Sequence, residues 1–492
     1  MARSSRRNFF KRSGLLAASA TAFPAVVHAA ETATAPHPRH VIHLVADGLS
    51  SGTLTLGDYL SRLTRQRGLT WFAVAQRPET HFAWVNMRSL NSFVTDSSAA
   101  SSSWGSGSRV VNGVLNQLPD GRNLHTLYEL LGAAGWQRGL VTTTEITHAT
   151  PAGFATSCSS RGSADDIAAQ YLTRQVEVLL GGGRQFFDPK KRKDKRDLFA
   201  AYRTAGYTLM SKASELNGAP LDTRWLGTFA SSHLPYTLDQ RESKELLNTV
   251  PTLAQMTTQA LRKLARADHF ILQVEGGRVD HGAHNNDIVA AVHDLVAFDE
   301  AVDVCLEFQQ REPRTLIVMT TDHGTANPGL NGSGSGYKDS PTLFTNGLRV
   351  RRSFENLEAD LKKATTAFDV QKLLLAATGY RVPDAKAALL LKIREKKAEV
   401  MYEQVNSLSC QLGQLMGNYL GVGFTSGSHT ADYVPLLATG PGAAGLHGYR
   451  QNVDIFRHYL DLAGVDFRNP EAALLAESRP TADDAEFSGR LV

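Results

Sequence analysis

Two short runs of this chain hold side chains that could do chemistry together. The first, VTDSSAASSSWGSG, places Ser97 directly after Asp96 in a stretch of small residues. The second, VEGGRVDHGAH, comes far along the chain and packs Glu275, Asp280 and His284 into ten residues. A serine beside separate clusters of acidic and imidazole ligands suits metal-assisted phosphoryl transfer, because metal ions lower the pKa of the serine and neutralise the oxygens of the transferred group.

Other positions offer further metal ligands. Asp280 and His284 are four residues apart, so on a helical turn they share one face and can bind one ion together. Asp322-His323 offers an oxygen and a nitrogen ligand to a borderline ion such as zinc. His429 lies in SGSHTADYVPLLATGPGA, before an apolar run, and is uninformative by itself. Taken singly, such residues are more often turn, cap or solvated residues, and only their combination favours a metal site.

The elements that position these residues are short apolar runs that alternate with helical patterns. The runs are HVIHLVAD (40–47), RGLVTTT (138–144), VEVLLGGG (176–183), HFILQVEGG (269–277), TLIVMTTDHG (315–324) and DYVPLLATG (432–440). Continuous hydrophobicity indicates strands buried on both faces, and therefore an α/β fold with a large, central, mostly parallel sheet between helices. The stretch from Asn285 to Phe308 has apolar residues at helical spacing and predicts one covering helix.

The polar residues follow the strands. Asp47, Glu275 and the Asp322-His323 pair each come directly after an apolar run. Ligands of open α/β sheets bind beyond the carboxyl ends of the strands. We therefore expect distant segments to deliver these side chains to one edge of one sheet.

The chain is long enough for one large domain with an insertion. Residues 353 to 417 have helical patterns and little strand character. We predict a single catalytic domain over residues 30–492 with a helical cap inserted at about 350–420. No internal repeat or low-complexity linker in the sequence suggests a further division.

The first 29 residues have the anatomy of a signal peptide: a basic start, an apolar stretch and a small-residue end. The apolar stretch is too short to span a bilayer comfortably. Ser5 to Lys11 (SRRNFFK) resembles the twin-arginine export motif. The predicted cleavage signal is Val27-His28-Ala29, with His28-Ala29-Ala30 as an alternative. We therefore predict a twin-arginine signal peptide at 1–29, no membrane span, and a periplasmic or secreted protein.

Charge and cysteine content narrow the classes of function. The formal charge of +4 falls to about −1 without residues 1–29, which carry five cations and no acid, so nothing favours a nucleic-acid partner. One basic run, KKRKDKR (190–196), is best interpreted as a solvated loop, with an anion-attracting rim as the alternative. Three cysteines are too few for a disulfide framework, and none has the spacing of a zinc site.

Together with Asp47, Thr150 and Arg161, the motifs resemble the alkaline phosphatase family. The resemblance covers essentially the whole mature chain. It rests on VADGLS, VTDSSAASSSWGSG, THATPAGF, LLGGGRQFF, LGTFASSHLPY, LQVEGGRVDHGAH, TTDHG and GSHTADYVPLLATGPGA. It implies two zinc ions and one magnesium ion at a strand edge, and hydrolysis of small-molecule phosphate monoesters through a phosphoserine intermediate. It also implies a homodimer, because family members are often dimers.

The resemblance carries over residue by residue. Ser97 would be the nucleophile, and Arg161 would hold two phosphate oxygens through its planar fork. The implied metal ligands are Asp280, His284 and His429 for the first zinc, Asp47, Asp322 and His323 for the second zinc, and Asp47, Thr150 and Glu275 for magnesium.

Three residues are predicted to lie behind the ligands. Asp96 would orient Arg161 or, equally well, cap the helix that begins at Ser97. His148 and His281 replace an Asp and a Lys of some bacterial members, which makes the third site less negative and weakens the expectation that it prefers magnesium. Ser98 replaces the commoner Ala and should point away from Ser97.

Four alternative functions compete with this interpretation; the sequence lacks the segments that two of them require, and the phosphodiesterase is kept as the alternative. A phosphodiesterase of the same superfamily would usually have a Thr nucleophile and lack the Thr150 and Glu275 site. A sulfatase would carry a Cys- or Ser-x-Pro-x-Arg segment at the nucleophile, and a metal-independent serine hydrolase would need G-x-S-x-G. A non-catalytic phosphate-binding protein would not need an intact nucleophile. Turnover of a monoester against a diester, with and without a chelator, distinguishes them.

Overall fold

The computed structural model describes residues 37–332, 334–398 and 400–474. The predicted signal peptide and its cleavage signals lie outside these residues. Among the described residues, none of the helices has the length and apolar character that crossing a membrane requires.

The strands of the described residues are short, and ten of them form one sheet. They are β1 (His40–Val45), β2 (His81–Asn86), β3 (Gln137–Glu145), β4 (Val178–Gly182), β5 (Tyr207–Met210), β6 (Arg224–Thr228), β7 (Phe270–Glu275), β8 (Thr315–Thr320), β9 (Gly324–Thr325), β10 (Gly329–Leu330), β11 (Val422–Gly423), β12 (His429–Thr430), β13 (Val434–Thr439) and β14 (Gly448–Gln451).

Helices lie between most of the strands. They are α1 (Ser51–Arg65), α2 (Thr70–Ala75), α3 (Ser97–Ser106), α4 (Leu127–Ala133), α5 (Ala149–Ala155), α6 (Ala164–Thr173), α7 (Leu198–Thr204), α8 (Ala213–Asn217), α9 (Thr237–Arg241), α10 (Lys244–Thr249), α11 (Leu253–Leu264), α12 (Arg278–His284), α13 (Ile288–Arg311), α14 (Ser340–Thr345), α15 (Phe354–Leu361), α16 (Ala367–Thr378), α17 (Asp384–Arg394), α18 (Leu408–Leu420) and α19 (Val453–Ala463). Short 3-10 segments are Arg184–Phe186, Gly334–Asp339, Asn346–Arg349, Glu403–Val405 and Ala443–Gly445.

The main sheet has the strand order β14-β2-β13-β8-β1-β7-β3-β4-β6-β5. Its pairings are parallel except those of β13, which runs antiparallel to both β2 and β8. One large apolar cluster covers each face of the sheet. The α/β fold with a central, mostly parallel sheet between helices is therefore confirmed.

All six apolar runs of the sequence form strands of this sheet, namely β1, β3, β4, β7, β8 and β13. Strands β2, β5, β6 and β14 were not predicted. In β2 the exposed side chains Phe82 and Trp84 alternate with the buried Ala83 and Val85, so its hydrophobicity is not continuous in the way a two-sided core strand requires.

The predicted covering helix corresponds to α13, which is buried along most of its length. Helices α15 to α18 occupy the stretch predicted as a helical cap. Apolar residues of these helices, among them Leu357, Leu374 and Met416, belong to the same buried cluster as α1, α11 and α13. These helices thus pack on the sheet domain through a continuous apolar core.

Candidate metal centre

The carboxyl ends of four neighbouring strands, β8, β1, β7 and β3, meet at one edge of the sheet. The register pairs Val45 of β1 with Glu275 of β7 and with Thr320 of β8. Asp47 and Asp322 each lie two residues beyond the end of their strand, so the three carboxylates reach the same edge. The structure gathers potential metal ligands there into three groups.

The first group joins α12 to the short strand β12, which begins at His429. Nε2 of His284 lies 3.3 Å from Oδ2 of Asp280, and Nε2 of His429 lies 3.8 Å from Oδ1 of Asp280. The two Nε2 atoms are 2.9 Å apart. One turn of α12 and the first residue of β12 thus bring three ligand atoms together at one point.

The orientation of these imidazoles is set from behind. Nδ1 of His284 donates to the carbonyl of Gly427 at 2.7 Å, and Nδ1 of His429 donates to the carbonyl of Thr95 at 2.9 Å. A carbonyl oxygen can only accept, so each Nδ1 carries a proton and each Nε2 can present a lone pair. This is the arrangement that fixes the tautomer of a metal-bound histidine.

The second group lies between β1 and β8. Nε2 of His323 is 3.1 Å from Oδ2 of Asp322 and 3.7 Å from Oδ1 of Asp47. The other oxygen of Asp322, Oδ1, accepts from the backbone N–H groups of Gly48 and His323 at 3.0 and 3.1 Å. One oxygen of this carboxylate is therefore held by the backbone, which leaves Oδ2 directed into the group.

Thr325 links the first two groups. Its hydroxyl donates to Oδ1 of Asp280 at 2.6 Å, so its oxygen accepts from Nδ1 of His323 at 3.3 Å. Close to it, Gly48 has a φ of +68°, and a Cβ there would lie 2.5 Å from Oδ1 of Asp280. A side chain at position 48 would collide with the group, so the turn after β1 needs glycine for both conformation and space.

The third group contains Asp47, Glu275 and His148. Nδ1 of His148 lies 4.0 Å from Oε1 of Glu275, and Thr150 donates its hydroxyl to Oδ2 of Asp47 at 3.3 Å. Thr142 donates to the other oxygen of Glu275, Oε2, at 2.5 Å. Asp47 belongs to both the second and the third group and joins them.

Several of these atoms lack any hydrogen-bonding partner although they are buried. They are Oδ1 of Asp47, Oε1 of Glu275 and Nδ1 of His148, and Oδ2 of Asp322 has only its contact with Nε2 of His323. Buried polar atoms are nearly always satisfied, and leaving a buried carboxylate oxygen without a partner is costly. Oxygen and imidazole nitrogen atoms that converge without donors are a donor set suited to divalent cations, and the residues present fit such ions.

The electrostatics point the same way. Burial and the carboxylates of Asp322 and Asp280 raise the pKa of Asp47 well above its usual range, and burial raises the pKa of Glu275 to about 7. Burial opposes protonation of His284, but the negative charge of Asp280 outweighs it and raises the pKa of His284 to about 9. The centre therefore carries excess negative charge, which attracts protons and would attract cations.

Ser97 lies at the start of α3, where the partial positive charge of a helix N-terminus favours an ionised side chain. Its Oγ is 3.2 Å from Nε2 of His323. The preceding Asp96 caps the helix, with Oδ1 accepting from the backbone N–H of Ala99 at 2.9 Å. Ser98 turns its hydroxyl to Asp96 at 2.7 and 2.8 Å, away from the second group.

Asp96 also binds Arg161. Nη1 of Arg161 donates to Oδ2 of Asp96 at 3.1 Å, while its Nη2 is 3.1 Å from Nε2 of His148. The sequence suggested two roles for Asp96, capping α3 and orienting Arg161. The same carboxylate makes both contacts. The guanidinium spans from the start of α3 to the third group, with its side chain partly open to solvent.

His281 lies behind the third group rather than in it. Its ring packs edge-on against His148 with centroids 5.5 Å apart, and Nη1 of Arg278 donates to its Nδ1 at 2.6 Å. His233 completes this cluster, with its ring 4.5 Å from His281. All the residues proposed from the sequence are brought together at one edge, and His148 stands closer to the ligands than the sequence predicted.

Sequence reasoning missed Thr325, Thr142 and the carbonyl groups of Thr95 and Gly427. The two threonines had a signal, because VTTTE and TTDHGT are runs of hydroxyl residues at strand ends. The two carbonyl groups had no such signal, because every residue type carries the same backbone carbonyl oxygen. Their contribution follows from the fold alone.

Comparison with known proteins gives a consistent result. A family model described as alkaline phosphatase matches residues 38–464. Alkaline phosphatase 3 of Bacillus subtilis (strain 168) is 30% identical over 74% of this chain and 76% of its own length. Streptomycin-6-phosphate phosphatase of Streptomyces griseus is 32% identical over 64% of this chain and 81% of its own. The crystal structure of Thermus thermophilus alkaline phosphatase superposes with a TM-score of 0.83 at 33% identity, covering 92% of this chain and 98% of that one.

Proposed function

The chain belongs to the alkaline phosphatase family and is accordingly a phosphoric monoester hydrolase. From that premise we propose that it acts through a phosphoserine intermediate on Ser97, with two zinc ions and one magnesium ion. The family is metal-dependent, and the three ligand groups at the strand edge support this number of ions. The observation that carries the proposal is the set of buried ligand atoms without partners beside the Ser97 hydroxyl.

The donor sets suggest which ion each group would hold. Imidazole and carboxylate in the first two groups suit zinc, whereas the oxygen atoms of Asp47, Thr150 and Glu275 in the third group suit magnesium. When bound, such ions supply the positive charge that favours the ionised form of a serine or water oxygen and offsets the charge of the transferring phosphoryl group.

The residues of the chain then do the following. The Oγ of Ser97 attacks phosphorus in line with the leaving oxygen, the bond from phosphorus to that oxygen breaks, and a phosphoserine and an alcohol form. Water attacks the phosphoserine in the second step, which releases inorganic phosphate and restores the Ser97 hydroxyl. Arg161, oriented by Asp96, holds two of the oxygens that do not react.

The position of His148 beside the third group suggests a different role from the one expected from the sequence. Nδ1 of His148 is buried, lacks a partner and lies within reach of the oxygens of Glu275 and Asp47. We propose that it becomes a ligand beside Thr150 and Glu275 when Arg161 releases Nε2 of His148, because the donation from Nη2 of Arg161 to Nε2 otherwise keeps the ring proton on Nδ1. His281 stays a supporting residue because Arg278 donates to its Nδ1. A more nitrogen-rich third site would hold magnesium less selectively.

The wider assignments rest on the same premise. We propose one catalytic domain over residues 30–492 with the cap at about 350–420, and export to the periplasm or medium by the twin-arginine route, which carries folded proteins. We also infer a homodimer. The exposed aromatic side chains of Phe82, Trp84, Tyr433 and Tyr449, which lie together on β2, β14 and the loop before β13, are the candidate contact surface.

Turnover of a monoester and a diester by the mature protein, with and without a chelator, tests the function. We expect the monoester to be the faster substrate and the chelator to remove the activity. A faster diester would move the assignment to the phosphodiesterase branch of the superfamily. Full activity after exhaustive metal removal would contradict the mechanism altogether.

A further inference from the structure

A basic loop, residues 188–197 (DPKKRKDKRD), lies at the same edge of the sheet as the metal centre. It follows β4, which pairs in parallel with β3, so the carboxyl ends of the two strands are neighbours. Gln185, just ahead of the loop, donates from Nε2 to Oε1 of Glu145 at 3.0 Å. Glu145 ends β3 three residues before His148. The loop is therefore connected directly to the element that carries the third ligand group.

The loop is folded around one of its own cations. The buried guanidinium of Arg192 donates to Oδ1 and Oδ2 of Asp194 at 2.8 and 2.6 Å, and to the carbonyl groups of Asp165 and Phe186 at 3.0 and 2.7 Å. These hydrogen bonds lower the pKa of Asp194 to about 2. A buried arginine with four such bonds gives the loop a defined shape.

The remaining cations of the loop are exposed and have no acidic partner. Within the part of the chain that the structure describes, no ion pair includes Lys190, Lys191, Lys193, Lys195 or Arg196. The other acids of the loop are engaged by backbone, since Asp188 accepts from the N–H of Lys190 and Asp197 accepts from the N–H of Ala200, both at 2.9 Å. The loop thus presents uncompensated positive charge in a mature chain whose net charge is close to zero.

The loop is hydrogen-bonded to the segment that follows the proposed phosphate-binding arginine, Arg161. The backbone N–H of Lys193 donates to Oδ2 of Asp165 at 3.0 Å, and Asp165 follows Arg161 by four residues. Four residues of chain span at most about 14 Å. With the side chain of Asp165 and this hydrogen bond added, the backbone of Lys193 lies within about 20 Å of that of Arg161. That exceeds the ~10 Å screening length at 0.1 M salt but falls inside the ~30 Å at 0.01 M, so the loop contributes to the field at the mouth of the site at low ionic strength.

We propose that the cations of residues 190–196 form an anion-binding rim that makes the enzyme prefer phosphate monoesters whose leaving group carries further negative charges. The inference rests on the proposed phosphomonoesterase function and specifies its substrate class. The rim attracts the leaving group and leaves the reaction at Ser97 unchanged. Its effect is therefore on KM and on the rate of encounter, and it weakens as salt is added.

Two phosphoserine peptides test the proposal, identical except that Glu residues flank the phosphoserine in one and Gln residues in the other. We expect the wild type at low ionic strength to have a kcat/KM about tenfold higher for the Glu peptide, through KM. Replacing all five exposed cations by Gln should remove this preference and change turnover of phenyl phosphate less than about twofold. Raising the salt concentration should remove it in the wild type as well.

A matched pair of variants separates the loop from overall charge. Lys191→Gln with Lys193→Gln removes two charges from the rim, and Arg266→Gln with Arg311→Gln removes two from the opposite edge, ahead of β7 and β8. Only the first pair should reduce the preference, with the melting temperature of both unchanged. A preference that survives the five substitutions would overturn the rim. Failure of the wild type to hydrolyse phenyl phosphate or either peptide would instead show that the phosphomonoesterase function, and the rim proposal with it, is wrong.

Discussion

Ser97 and Asp322 approach the same nitrogen of His323. The serine Oγ lies 3.2 Å from Nε2, and Oδ2 of Asp322 lies 3.1 Å from that same atom. In a Ser-His-Asp triad the acid binds the nitrogen opposite the serine, where it orients the ring and stabilises its charge. Here the opposite nitrogen, Nδ1, contacts Thr325. The geometry is that of a shared cation site, which argues against a metal-independent serine hydrolase.

Ser97→Ala should remove covalent catalysis and leave the ligands in place. We expect monoesterase activity to fall by about three orders of magnitude or more, because the nucleophile is lost, while the zinc content measured by mass spectrometry changes little. Ser103→Ala is the control, since Ser103 lies in the same helix and its hydroxyl donates only to the carbonyl of Ala99 among the bonds found for it. Phosphate trapped at acid pH on a residue other than Ser97 would contradict the assignment.

Metal removal should inactivate the enzyme in a way that distinguishes the groups. After chelation, zinc should restore most of the activity and magnesium should increase it further. Glu275→Gln keeps the size of the side chain but removes its charge from the third group, so the magnesium effect should disappear while zinc binding is largely retained. Calorimetric titration of the two ions into the chelated protein measures both. Equal loss of zinc and magnesium binding in this variant would mean that the groups do not act as separate sites.

Arg161→Ala should reduce turnover of monoesters more than that of diesters. A terminal phosphoryl group has two negative charges for the guanidinium fork to complement, and a diester has one. We expect kcat/KM for a monoester to fall on the order of a hundredfold, with a smaller loss for a diester. Arg122→Ala serves as a control, because Arg122 is exposed, pairs with Asp120 and lies outside the ligand groups. An equal loss for both substrates would indicate that Arg161 does not read the terminal phosphoryl group.

His43, in the middle of β1, should make the fold sensitive to acid. Burial lowers the pKa of His43 to about 3, so the folded protein keeps this ring neutral, whereas the unfolded chain binds a proton below about pH 6.5. The stability that the neutral ring contributes is present above pH 6.5 and is lost as the pH falls toward 3.

Chemical denaturation of the chelated protein at several pH values measures this effect. Between pH 7 and pH 3 the wild type should lose on the order of 4 kcal/mol more than His43→Gln, which has no ring to protonate. His125→Gln, at an exposed position, should behave as the wild type. Parallel pH curves for the wild type and His43→Gln would show that His43 is not responsible.

How much the sequence could predict depends on the kind of information that each feature carries. The runs around β1, β7 and β8 are buried on both faces, so their continuous hydrophobicity predicted the strands, and the polar residues after them predicted the edge. Strand β2 has one open face at Phe82 and Trp84, and the short strands β5 and β6 offer too few residues for a pattern. These strands are defined by their hydrogen bonds to neighbouring strands rather than by a pattern in their own sequence.

The centre shows the same division. Ligand types and spacing indicated Asp280 with His284, and the order of the motifs indicated the rest. The placement of His148 beside Glu275 depends on the rotamer of one side chain after β3, and the tautomers of His284 and His429 depend on backbone carbonyl groups. Neither the placement of His148 nor these tautomers can be predicted from residue type, because both depend on the path of the backbone.

Strand β13, which runs antiparallel to both of its neighbours in the main sheet, also constrains the order in which this sheet can form during synthesis. Because β13 lies between β8 and β2, strand β2 cannot join the rest of the sheet until the segment around position 436 has left the ribosome. His429 lies just ahead of that strand, so the first ligand group is completed by nearly the last part of the chain to appear. A growing chain can thus form the Asp47 groups before it can complete the first group, and a product truncated ahead of His429 would lack one of that group's three ligands.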